Sequence, residues 1–157
     1  MNAQQHLSDL AVTLGLPALE FNASGCARLL FDETIAVNFE HNDTEGLLTI
    51  YSSLGELPAS GRESLYRSLL RGNLLGLQTQ GSALAIDPEL DEAVLSRTLL
   101  IEEVSLESFA TLLDRFIGCA EYWTRQLAER QYDASAVAPV DSESPAFSRP
   151  MDGNLRV

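Results

Sequence analysis

The chain has 157 residues, 45% of them hydrophobic and 21% charged, which suits one domain with its own core and no need of disulfide or metal staples. Its net charge is −13 and every one of its ten cations is arginine, so it lacks the clustered positive charge that nucleic-acid backbones require, and no nucleic-acid partner is expected. No run approaches the roughly 18–20 apolar residues that cross a bilayer, and no cation or apolar core marks the N-terminus as a secretory signal, so membrane insertion is not expected and the cytoplasm is the expected location.

Residues 3–14 read as a helix, because Leu7, Leu10, Ala11 and Leu14 recur at three- and four-residue spacing and Gly15 and Pro17 follow. Three short strands come next. Ala27–Phe31 is the first. Thr34–Glu40 alternates cleanly, with Ile35, Val37 and Phe39 facing one way, and Asp32-Glu33 is a tight link between the two. After the polar run His41–Gly46, Leu47–Tyr51 forms the third strand, with Leu48 and Ile50 on one face and Leu47, Thr49 and Tyr51 on the other. Ser60-Gly61-Arg62-Glu63 opens a second helix with the stripe Leu65, Tyr66, Leu69 and Leu70, and Gly76 is its expected stop. Ser82–Ile86 and Ala93–Leu100 form a hairpin about the turn Asp87-Pro88-Glu89-Leu90-Asp91. Ser105 caps a last helix whose apolar stripe runs from Phe109 through Leu112, Leu113, Phe116, Ile117, Ala120 and Trp123 to Leu127. Beyond Gln131 the periodicity stops, and Pro139, Pro145 and Pro150 stand among Ser, Ala and Asp. The expected organisation is a domain over 1–130 and a flexible C-terminal tail over 131–157. The expected fold is α+β, with an antiparallel sheet of about five strands and three helices in the order α-β-β-β-α-β-β-α.

Chemistry is hard to assemble from these residues. There is no GxxxxGK[ST] or GxGxxG loop. Cys26 and Cys119 form no CxxC, and His6 and His41 have no metal-ligand spacing, so no cofactor, no metal and no disulfide is expected. Asp32-Glu33 and Glu102-Glu103 are adjacent pairs that point into water more readily than across a cleft. The acidic run from Asp87 to Glu92 lacks the Gly and Glu of a calcium loop and is read as a turn. Trp123 and Phe116 fit the core stripe of the last helix. The chain therefore reads as a binding protein with no catalytic residues.

Several segments carry a family resemblance: Ala27-Arg28-Leu29-Leu30-Phe31-Asp32; Asn73-Leu74-Leu75-Gly76 followed by Gly81-Ser82-Ala83-Leu84-Ala85-Ile86-Asp87-Pro88; Val94-Leu95-Ser96-Arg97 with Leu99; and a helix ending Ala120-Glu121-Tyr122-Trp123. Over roughly residues 3–130 the chain resembles the class I type III secretion chaperones of the Tir-chaperone family, and overall it is similar to the multi-effector chaperones of plant-pathogenic bacteria. The resemblance implies a homodimer that holds N-terminal segments of secreted effector proteins in extended form. Such a segment adds a strand to a sheet edge and sets apolar side chains into grooves. The residues expected to contact it are Leu29, Leu30, Leu47 and Tyr51, unless helices or a partner subunit cover them. The resemblance puts the dimer interface at Leu69, Leu70, Leu74, Leu84 and Ile86. The tail would be a docking arm for the secretion ATPase or a plain spacer. Two other readings stay open: the same fold bound to a regulator that couples secretion to transcription, and an acidic DNA mimic whose binding would collapse at high salt.

Overall fold

The computed structural model describes residues 3–13 and 20–130. In chain order it contains α1 (Ala3–Thr13), β1 (Cys26–Phe31), β2 (Ile35–Asn42), β3 (Leu47–Glu56), α2 (Arg62–Asn73), β4 (Ala83–Asp87), β5 (Glu92–Leu100) and α3 (Leu106–Ala128). The strands form one antiparallel sheet in the spatial order β1-β2-β3-β5-β4. The α+β class and the element order are those expected. The tail read at 131–157 lies outside the described residues, as do Gly15 and Pro17 and the side chains of Leu7, Leu10 and Leu14.

Alternation decides which face of the sheet becomes core. Ile35, Val37 and Phe39 of β2 and Leu48 and Ile50 of β3 are buried, and Leu84, Ala93, Leu95 and Leu99 continue the same face across β4 and β5. Against this face α3 lays Phe109, Leu113, Phe116, Ala120 and Trp123, one side of a 23-residue helix that would span about 34 Å. Ser105 accepts the Ser108 N–H at 3.2 Å and so caps a donor the helix leaves free. Ala11 of α1 joins the same core.

Two boundaries differ from expectation by three residues or more, each for a physical reason. β3 runs to Glu56, five residues past Tyr51, although Ser52-Ser53-Leu54-Gly55 reads as turn chemistry. Ser52 is buried on the inner face, and a bulge between Ser53 and Gly55 keeps the ladder with β5 going. Gly55, at φ 131, holds a backbone conformation that side-chain-bearing residues rarely adopt, and a Cβ there would crowd Leu127 at 3.1 Å. The second helix stops at Asn73 and not at Gly76. Leu74 turns extended at ψ 113 and Leu75 takes a left-handed φ of 55, so the chain breaks before the glycine. The Asp32-Glu33 link is a tight turn, with both residues at positive φ (47 and 58) and the Thr34 N–H donating to Phe31 O at 3.0 Å. That backbone twist matches the flanking strands.

Candidate functional site

The opposite face of the sheet carries Leu30, Ala36, Leu47, Tyr51, Val94 and Leu100, and none of them is buried. Their placement follows from register. Leu30 pairs with Ala36 across β1–β2, and Leu47 lies between Asn42 and Leu100. Tyr51 lies between Asn38 and Ser96. Leu47 and Tyr51 are four residues apart on one strand, about 13 Å at 3.3 Å per residue. Polar side chains interrupt the apolar ones: Thr49 and Thr98 share a hydrogen bond of 3.0 Å, and Asn38 Nδ2 donates to Tyr51 O at 3.4 Å. Burial, with Cys26 and Glu40 nearby, pushes the Tyr51 phenol above its ordinary value, so it stands as a neutral hydroxyl with an apolar ring.

Of the four residues expected to contact a bound segment, Leu30, Leu47 and Tyr51 share this open face. Leu30 is 58% exposed. Leu29 is a correction. It is 9% exposed and belongs to the core, because it pairs with Val37 on the helix-covered side. Adjacent strand residues point to opposite faces, so only one of the Leu29-Leu30 pair is available. Leu100 is a residue the sequence reading missed. It continues the alternation of β5 onto the open face beside Leu47.

The sheet has two edges, β1 and β4. They are not equivalent. Asn73, the last residue of α2, turns its side-chain amide onto β4: Oδ1 accepts the Leu84 N–H at 2.8 Å and Nδ2 donates to Leu84 O at 3.0 Å. A strand partner would use these same two groups, so Asn73 occupies the β4 edge at its second residue. Asn22 holds β1 in a similar way at its first residue, its N–H donating to Cys26 O at 2.8 Å and its Oδ1 accepting the Cys26 N–H at 3.0 Å; beyond Cys26 no described strand lies along the far side of β1.

Beside α2 runs an apolar groove of about 260 Å³ lined by Tyr66, Leu69, Leu70, Leu84, Ala85 and Ile86. It gathers four of the five residues expected at a dimer interface. Leu69 and Leu84 are buried in the subunit's own core and form the groove floor; Leu70, at 71% exposed, and half-buried Ile86 stand at its wall. Leu74 follows one turn after Leu70 and is 63% exposed. The corrected division is that Leu70, Leu74 and Ile86 can touch a partner directly, whereas Leu69 and Leu84 support them from beneath.

The remaining chemistry is structural. Trp123 Nε1 donates to Gln78 O at 3.0 Å and Cys119 Sγ donates to the same oxygen at 3.4 Å, which anchors the 74–82 loop on α3. Arg62 forms a two-bond fork on Asp91, at 2.9 and 2.6 Å, tying the start of α2 to the β4–β5 turn. Among the described residues no group of three His, Cys, Asp or Glu side chains could hold a metal ion, and no helix is long and apolar enough to cross a membrane.

Among the described residues the subunit has two layers, a sheet face with Leu30 and Leu100 exposed, a β1 edge free beyond Cys26 and an apolar groove at its second helix, surfaces that can receive polypeptide. The chain belongs to the Tir chaperone protein (CesT) family, whose model matches residues 5–124. It is 28% identical over 123 residues to a protein of Chlamydia pneumoniae, covering 77% of this chain and 92% of that one. It is also 28% identical over 134 residues to the transcriptional anti-antiactivator ExsC of Pseudomonas aeruginosa, covering 85% and 90% of the two chains. The fold superposes on a chain of the ExsC–ExsE complex with a TM-score of 0.69 at 25% identity, over 81% of this chain and 97% of that one. In the ExoU–SpcU complex of the type III secretion system of Pseudomonas aeruginosa, the match has a TM-score of 0.63 at 19% identity, over 78% and 98%.

Proposed function

We propose that this chaperone is a cytoplasmic homodimer that binds the N-terminal segments of secreted effector proteins and keeps them extended for export, acting by binding and not by catalysis. The observation that carries the reading is the apolar sheet face that exposes Leu30 and Leu100 among the described residues, beside a β1 edge free beyond Cys26. An extended segment hydrogen-bonds along β1 and lays apolar side chains over Leu30, Leu47, Tyr51 and Leu100. Ordering such a segment typically consumes about 2–5 kcal/mol of the gross interaction, so the exposed apolar area has to be large. The net charge of −13 keeps that area soluble between clients. The homodimer forms through Leu70, Leu74 and Ile86, and residues 131–157 serve as a docking arm for the secretion ATPase or as a plain spacer.

The test is a pull-down of the tagged full-length chain from cells induced for secretion, washed at low and at high salt. Several secreted proteins, held through their N-terminal segments and retained at high salt, are expected. Their loss at high salt would overturn the hydrophobic mechanism and favour charge mimicry. Leu30→Asp is expected to lose the clients while the protein remains a folded dimer.

The similarity to ExsC favours one second reading, in which the same surfaces hold a single regulatory protein. Recovery of one partner at fixed stoichiometry, in place of several secreted proteins, would select it.

A further inference from the structure

We propose that the cavity between β5 and the first half of α3 is a carboxylate-binding site, which takes a Glu or Asp side chain of a polypeptide. The cavity measures about 390 Å³ and is lined by Arg97, Glu107, Ser108, Thr111, Leu112 and Arg115.

Arg97 is out of place by the logic of the sheet. It shares its face of β5 with Ala93, Leu95 and Leu99, all buried, and pairs with buried Ile50. Among the described strand residues it is the one Asp, Glu or Arg whose ladder position falls on the helix-covered face. Its side chain stays half-buried at the rim of that face, with its hydrogen bond to Gln80 O exposed, so the guanidinium is accessible to an anion from solvent. The guanidinium is held in place from one side. Nη1 donates to Gln80 O at 2.8 Å, and Gly81, at φ 82, packs so closely that a Cβ would lie 3.1 Å from Nη1. The other N–H groups donate to no described residue, and no described carboxylate lies within ion-pair distance. Arg115 reaches the same cavity from α3 and likewise has no ion-pair partner among the described residues.

The charge balance selects the ligand. Two guanidinium groups and the Glu107 carboxylate give the cavity a formal charge of +1, which one carboxylate neutralises and a phosphate dianion exceeds. A planar carboxylate also accepts two parallel bonds from a guanidinium fork. The hydroxyls of Ser108 and Thr111 add neutral donors at the wall. In a chain with net charge −13, screening confines the repulsion of distant carboxylates to about 8 Å at physiological salt, so a local pair of arginines still attracts an anion.

The test uses the full-length chain and does not depend on any natural client. The side-chain Nε–Hε resonances of Arg97 and Arg115 are followed by NMR during titration with a capped tripeptide bearing one Glu, its Gln counterpart, and inorganic phosphate. Saturable shifts of both arginines by the Glu peptide are expected, with the Gln peptide weaker by about tenfold or more, the worth of one charge-assisted hydrogen bond. Arg115→Gln, at an exposed helix position, is expected to weaken the Glu peptide by a similar factor without changing the melting temperature. Equal affinity for the Glu and Gln peptides, tighter binding of phosphate, or no saturation would each overturn the assignment.

Discussion

Leu29 and Leu30 are chemically identical neighbours with opposite fates, and the difference is decided by the two-residue period of a strand. Leu29→Asp places a charge in a core without a cation to meet it and is expected to prevent cooperative folding, with no sigmoidal thermal transition by circular dichroism. Leu30→Asp is expected to keep the wild-type melting temperature within a few degrees. Gly72 faces the ring of Trp123 at the α2–α3 crossing, where a Cβ would approach Cη2 to 2.8 Å. Gly72→Ala is therefore expected to lower stability by about 1–3 kcal/mol, read as a lower urea midpoint at unchanged slope. Burial pushes the Cys119 thiol from 9.0 up to about 11. The folded state then holds a proton that the unfolded state has lost, so this group's contribution falls as pH rises through that window. Cys119→Ala is expected to flatten the fall in urea midpoint between pH 9 and pH 11.

Among the elements, α3 was legible because its apolar stripe, its Ser105 cap and its length all agree. β2 was legible because large hydrophobic residues alternate with small or polar ones from Ile35 to Glu40. The end of β3 was not, since Ser and Gly are poor strand residues and only the pairing with β5 holds them extended. The stop of α2 was misplaced for a similar reason. A left-handed Leu75 has no local signature, and the break is set by Asn73 reaching β4. That side chain lay beyond sequence reasoning altogether, because its partners are backbone groups eleven residues away. Asn73→Leu leaves the Leu84 N–H and C=O without a protein partner. It is expected to cost about 1–3 kcal/mol and to speed amide exchange at Leu84, measured by hydrogen–deuterium exchange. The open face was half legible. Leu47 and Tyr51 were read from alternation, but which of Leu29 and Leu30 belongs with them depends on the β1–β2 register.

For the whole molecule, the strong acidity is compatible with two mechanisms that differ in their response to salt. Binding dominated by apolar contact is expected to keep its affinity within a few-fold between low and high ionic strength, whereas charge mimicry loses orders of magnitude. Isothermal titration of a client segment at two salt concentrations separates them. A truncation after Arg130 is expected to leave the melting temperature and the dimer unchanged if residues 131–157 serve only as an arm. Sedimentation velocity and thermal denaturation of the shortened chain check this.

The Asn73 clip also sets the molecule's valence. A sheet with two free edges is bifunctional: each strand it captures leaves another place to grow, and chains of subunits can polymerise edge to edge. With β4 stoppered at Leu84 and β1 held at Cys26, its first residue, β1 keeps the longer free run, and capture there leaves little of the other edge from which to grow. Loss of the clip would therefore show first as concentration-dependent turbidity, before any loss of binding.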